Sequence, residues 1–216
     1  GYWLDIGSDQ AEHLWNRAVR DGVERYGISG GGDWTNWVNP YYGHYYPIDH
    51  CVAEGRELMN AFQAEYLRQV DPTDLSVIGV EFHNEIGYNC WSPSNLAAFR
   101  VFLLEKYRDF ATLARTTRCT AANLATLRPP FLEHAPEVRG AGEQEYRKQR
   151  VPWERSLERA WKEQPELMND WTEFLRQRFA KGFAAEAAAH RRRPWGSLPV
   201  TLQARLQRVP RVPLYE

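Results

Sequence analysis

The apolar positions along the chain separate into helix-period and strand-like runs. Between Ser76 and His83, Val77, Ile78, Val80 and Phe82 are apolar with little alternation, interrupted only by Gly79. Such a run predicts a strand buried on both faces, as in a parallel sheet. Two weaker strands are predicted at Tyr2–Ile6 and at Leu198–Gln203 ("LPVTLQ"). The helical period appears in four stretches. Gln10–Tyr26 places Leu14, Ala18 and Val19 on one face and closes at Gly27. Glu54–Val70 carries Leu58, Ala61, Phe62 and Tyr66 as its stripe and ends at Asp71-Pro72. Ser92–Tyr107 begins with Ser92 as N-cap and Pro93 at the first helical position, and continues through Leu96, Phe99, Phe102, Leu103 and Tyr107. Pro165–Arg191 is the longest, with Leu167, Trp171, Phe174, Leu175, Phe179 and Phe183 on its buried side.

Between these elements the pattern lapses. Gly30–Asp49 is too rich in Gly, Pro and Asn for regular structure and predicts a long loop. Asn123–Arg128 predicts a short helix, broken by Pro129-Pro130. Gly140–Trp161 is charged and poorly patterned, so residues 111–164 are expected to form an insertion over the body of the domain. Arg205–Glu216 has two prolines and no clear period. No internal repeat is present. A helix separates each predicted strand from the next, which points to a parallel sheet and an α/β fold in one domain, residues 1–216.

Composition narrows the function. With 216 residues, 43% hydrophobic and 25% charged, the chain has ordinary globular proportions. Its net charge of −1 supplies no field to recruit nucleic acid or an anionic membrane. Arg191-Arg192-Arg193 follows a long helix, where cations favour the C-terminal dipole and stay solvated. No apolar run approaches the roughly 20 residues that span a bilayer. The start, Gly1-Tyr2-Trp3, is neither a methionine nor a signal peptide, so a processed, trimmed or excised chain is expected, and the compartment stays open. Cys51, Cys90 and Cys119 give no disulfide framework and read as idle thiols; no CxxC or HxxxH pair supplies zinc spacing. Gly30-Gly31-Gly32 lacks the Lys-Ser/Thr of a phosphate loop, and no Ser or Cys nucleophile motif occurs.

The unusual feature is aromatic. Nine Trp and eleven Tyr are present, many in polar stretches such as "GGGDWTNWVNPYYGHYYP", Gly30–Pro47. Rings displayed on loops suit flat, amphipathic ligands, because a ring face packs on C–H surfaces while Tyr O–H and Trp N–H bond hydroxyls. Sugars fit that description, with Trp34, Trp37 and Trp91 as candidate platforms. The other reading is a loop that folds back and buries its rings.

The predicted strand at Ser76–His83 runs into His83-Asn84-Glu85 and then Tyr88 and Trp91. In parallel α/β domains, function gathers at the C-terminal ends of strands. A Glu there suits glycoside hydrolysis, in which one carboxylic acid protonates the leaving oxygen and a second carboxylate attacks or activates water. An adjacent Asn amide can bond the sugar 2-hydroxyl. A strand ending in Asn-Glu is also what a plain turn before a helix cap looks like. Asp5, Asp33 and Asp49 are the upstream carboxylates that could enter the same cleft; each reads more simply as a turn residue or cap.

The stretch "VIGVEFHNEIGYNCWSPSNLAAFRVFLLEKY" resembles the glycoside hydrolases whose (β/α)8 barrels carry an Asn-Glu pair at the end of the fourth strand, and within them the family 42 β-galactosidases. There the Asn-Glu is followed by a short loop and a helix like Ser92–Tyr107. Upstream, "EGRELMNAFQAEYLRQVDPTDLSVIGVEFHNE" resembles the third barrel helix entering strand four; downstream, "ELMNDWTEFLRQRFAKGFAAEAAAHRRRPWGSLPVT" resembles a helix leading into strand five. The likeness covers residues 54–110 well and 160–202 loosely.

The resemblance implies a TIM-barrel type fold and a retaining glycosidase of β-galactoside-like substrates. Glu85 would be the general acid/base and Asn84 its substrate-binding neighbour, with His83, Tyr88, Trp91 and Trp34 also facing carbohydrate. No cofactor is expected. Many family members build a zinc site from cysteines just after the Asn-Glu; here only Cys90 falls there, with Ser92 in a ligand's place, so no metal is expected. The family's nucleophile is a Glu near the end of strand seven, and no later strand of this chain ends in Glu. An incomplete barrel is therefore expected, the middle of one, with the nucleophile outside this chain. A non-catalytic carbohydrate-binding protein and an inactive barrel fragment stay open, as does a homo-oligomer.

Overall fold

The computed structural model describes residues 2–5, 25–26, 49, 51–71, 73–81, 91–133, 155–192, 196 and 200–201. In chain order these form β1 (Tyr2–Asp5), α1 (Ala53–Leu67), β2 (Val77–Glu81), α2 (Pro93–Tyr107), α3 (Phe110–Thr117), two 3-10 turns (Leu124–Thr126 and Pro130–Glu133), α4 (residues 155–163), α5 (Pro165–His190) and β3 (Val200–Thr201). The described residues are thus mostly helical, with one three-stranded sheet in the order β1-β2-β3. Both pairings are parallel, as the strand–helix alternation requires. Residues 25–26 are helical. The rest of the helix expected at Gln10–Tyr26, the loop expected at Gly30–Asp49 apart from Asp49, and residues 205–216 lie outside the described residues.

β2 is central, and its pairing with β1 contains an extra residue. Tyr2 pairs with Val77 but Trp3 pairs with Gly79, so Ile78 is left over as a bulge. The bulge resets the two-residue alternation. Val77 and Val80 both become buried and pack with Leu67 of α1 and with Val70, Phe183 and Ala187. Ile78, expected inside, is 46% exposed for the same reason. α1 and α5 therefore both lie against β2 through this small apolar layer.

The larger core is aromatic. Phe99 and Leu103 of α2, Leu113 of α3, Leu127, Phe131, Leu157 and Ala160, and Leu167, Met168, Trp171, Phe174 and Leu175 of α5 are buried together. The Phe99 and Trp171 rings meet edge to face with centroids 4.9 Å apart. Trp171 also meets Phe131 at 6.2 Å and Phe174 at 5.6 Å. Such pairs each add about 0.5–1.5 kcal/mol beyond area burial. Residues 113, 127, 131, 157 and 160 belong to the stretch read as an insertion, yet they fill this core. The described parts of that stretch thus contribute side chains to the core.

Local signals explain the ends. Ser92 caps α2, its Oγ accepting the Asn95 N–H at 3.2 Å, with Pro93 next. The chain turns at Arg108 (φ 73°) and Asp109 caps α3 by accepting the Thr112 N–H at 2.7 Å. α3 ends at Arg118, which is left-handed. The helix expected at Asn123–Arg128 is a single 3-10 turn with Asn123 and Thr126 capping each other reciprocally.

α1 shows a different correction. Its buried side is Gly55, Leu58, Met59, Gln63 and Leu67, whereas Tyr66 is 39% exposed. The stripe read from apolar residues alone is rotated because a polar residue goes inside. Gln63 Nε2 donates to Glu186 Oε1 of α5 at 2.8 Å, both groups buried. Phe62 is covered instead by Tyr26, edge on at 5.5 Å.

α2 and α5 are also clamped by charge. Asp170 is buried, and its carboxylate accepts from Lys106 Nζ at 2.7 Å and from Tyr107 Oη at 2.7 Å. Lys106 reaches Glu173 as well, at 3.0 Å. Taking Asp170 out of water is offset by these two donors. Among the described residues no helix is long and apolar enough to cross a membrane; α5 has the length but carries charged residues throughout.

The clamp is expected to make stability fall in alkali. Burial first, and then the bond to Asp170, push the Tyr107 hydroxyl up from 10 to about 12. The Asp170 hydrogen bond is the main cause that raises Lys106 above the ordinary lysine range. Between pH 10 and about 12 the native state then holds more protons than the unfolded chain. Stability from Tyr107 is complete below pH 10 and is lost as pH rises through about 12. Tyr107→Phe is expected to cost about 1–3 kcal/mol near neutral pH. It should also flatten the alkaline fall, read from urea unfolding at a series of pH values. Equal slopes in variant and wild type would refute the linkage.

Candidate functional site

Of the residues expected to form the site, Trp34, His83, Asn84, Glu85 and Tyr88 lie outside the described residues, as do Cys90, Trp37 and Asp33. The structure describes both ends of the motif. At the N-terminal end, β2 finishes at Glu81, whose backbone pairs with Asp5 of β1 and with Thr201 of β3. The C-terminal ends of the three parallel strands therefore lie level. They form the sheet edge from which residues 82–90 depart.

At the other end the chain is pinned in the core. Trp91 is only 5% exposed and meets Phe131 edge on, with centroids 5.6 Å apart. It was expected as an exposed sugar platform and is instead an anchor, because Phe131 and its neighbours offer an apolar seat directly before α2. Ser92, the next residue, is fully buried.

Around Ser92 the structure assembles a polar cluster from three distant segments. Asp49 is fully buried. Its Oδ1 accepts the Cys51 backbone N–H at 2.9 Å, an Asx turn that starts the lead-in to α1. Its Oδ2 accepts from Ser92 Oγ at 3.2 Å and Ser94 Oγ at 3.3 Å. Arg178 of α5 brings a guanidinium Nη2 to 3.9 Å of the same oxygen and donates through Nε to Asn95 Oδ1 at 3.0 Å. The Cys51 thiol donates to the Arg178 carbonyl at 3.1 Å, and Arg56 Nη1 donates to the Cys51 carbonyl at 2.7 Å. A buried carboxylate is costly unless donors and a cation surround it, and here they do.

This chemistry is that of a brace. Both Asp49 oxygens are engaged and none is open to solvent, so Asp49 is not a second carboxylate in a cleft. Its reading as a turn residue holds. Cys119 is a free thiol. Burial raises the Cys119 thiol above its ordinary value, which disfavours thiolate. Among the described residues, no group of three His, Cys, Asp or Glu side chains could hold a metal ion.

The sequence reading found Ser92 as a cap but not the brace. Asp49 carried a signal, a carboxylate two residues before Cys51 at the end of a loop. Arg178 carried none. It is one of several cations on α5, and its inward turn depends on where α2 begins. The comparisons with known proteins add no family: no family profile, no curated protein and no solved structure matches the chain.

Ser92 both caps α2 and bonds Asp49, whereas Ser94 does only the second. Ser92→Ala is expected to lower stability by about 1–2 kcal/mol and Ser94→Ala by less than about 0.5 kcal/mol. Thermal or urea unfolding of the two variants checks the order; a larger loss in Ser94→Ala would contradict it.

Proposed function

We propose that this chain carries the acid/base part of a retaining glycosidase site that acts on β-galactoside-like substrates, within a (β/α)8 barrel. The observation that carries the reading is that β2, the middle strand of an all-parallel sheet in sequential order, ends four residues before Glu85. Strand ends of this kind are where α/β folds hold their chemistry. The sequential order and the crossover helices packed on one layer support a barrel segment. The resemblance of residues 77–107 to the family 42 β-galactosidases supplies the reaction class.

In that reading Glu85 is protonated in the resting site. It gives its proton to the glycosidic oxygen as a carboxylate nucleophile attacks the anomeric carbon, and the aglycone leaves. Glu85 then takes a proton from water, which releases the sugar with its configuration retained. Asn84 bonds the 2-hydroxyl, a contact that strengthens as the oxocarbenium-like transition state forms. His83, Tyr88 and Trp34 supply further contacts to hydroxyls and C–H faces. The nucleophile is not assigned to a residue of this chain.

Glu85→Gln removes the transferable proton and leaves the side chain's shape. It is expected to lower kcat by roughly 10²–10⁴-fold on an aryl β-galactoside with a poor leaving group, with an unchanged thermal midpoint. The assay uses the longest natural protein that contains this segment. An unchanged rate would remove Glu85 from the mechanism. Galactoside binding by calorimetry with no turnover in wild type would point to a binding protein instead.

A further inference from the structure

We draw no further inference here: the strongest candidate, the exposed apolar surface of Leu75 and Ile78 where the chain enters β2, carries none, because nothing among the described residues shows what covers it.

Discussion

The described structure depends on one helix meeting two different requirements along its length. α5 has 26 residues and is therefore roughly 39 Å long. Its first half must fill an aromatic core, and Leu167, Trp171, Phe174 and Leu175 do so against α2, α3 and Phe131. Its second half must seat on α1 and the sheet, and there Phe183 and Ala187 meet Leu67, Val77 and Val80. Between the two halves it sends out Arg178 toward Asp49 and Asn95. Each contact restricts the same rigid rod. Moving α5 to suit one end would displace the other.

Polar groups inside the interfaces set the register that apolar contact leaves loose. Burial of Phe or Leu is favourable over a range of offsets, since the hydrophobic effect is non-directional. Gln63 to Glu186, Lys106 and Tyr107 to Asp170, and Arg178 to Asn95 each tolerate only short distances. They fall at different heights along α5, one against α1 and two against α2. Any slip of a full turn would leave several buried polar groups without partners, at about 1–3 kcal/mol each.

These same groups mark where sequence reading stops. β2, the cap and stripe of α2, the inner face of α5 and the parallel pairing were legible, because period and capping are local. α3 was passed over although Asp109 and the spacing Phe110, Leu113, Thr117 announce a helix; eight residues give the period little room. The face of α1 was misread by the turn that Gln63 introduces. Ile78 was misread because a bulge depends on the neighbouring strand. At the candidate site, the cap at Ser92 was legible and its second partner was not. Trp91 in a polar stretch suggested display, and only the position of Phe131 shows it buried. In every miss but that of α3 the deciding partner lies elsewhere in the sequence.

The brace ties the start of α2 to the rest of the core. Ser92 both caps the helix and bonds Asp49, and Trp91 just before it is buried against Phe131. Asp49 in turn faces Arg178, and Arg178 donates to Asn95, so the first turn of α2 is set by the middle of α5. A change deep in the α2–α5 interface therefore reaches the start of α2 through Arg178 and Asp49.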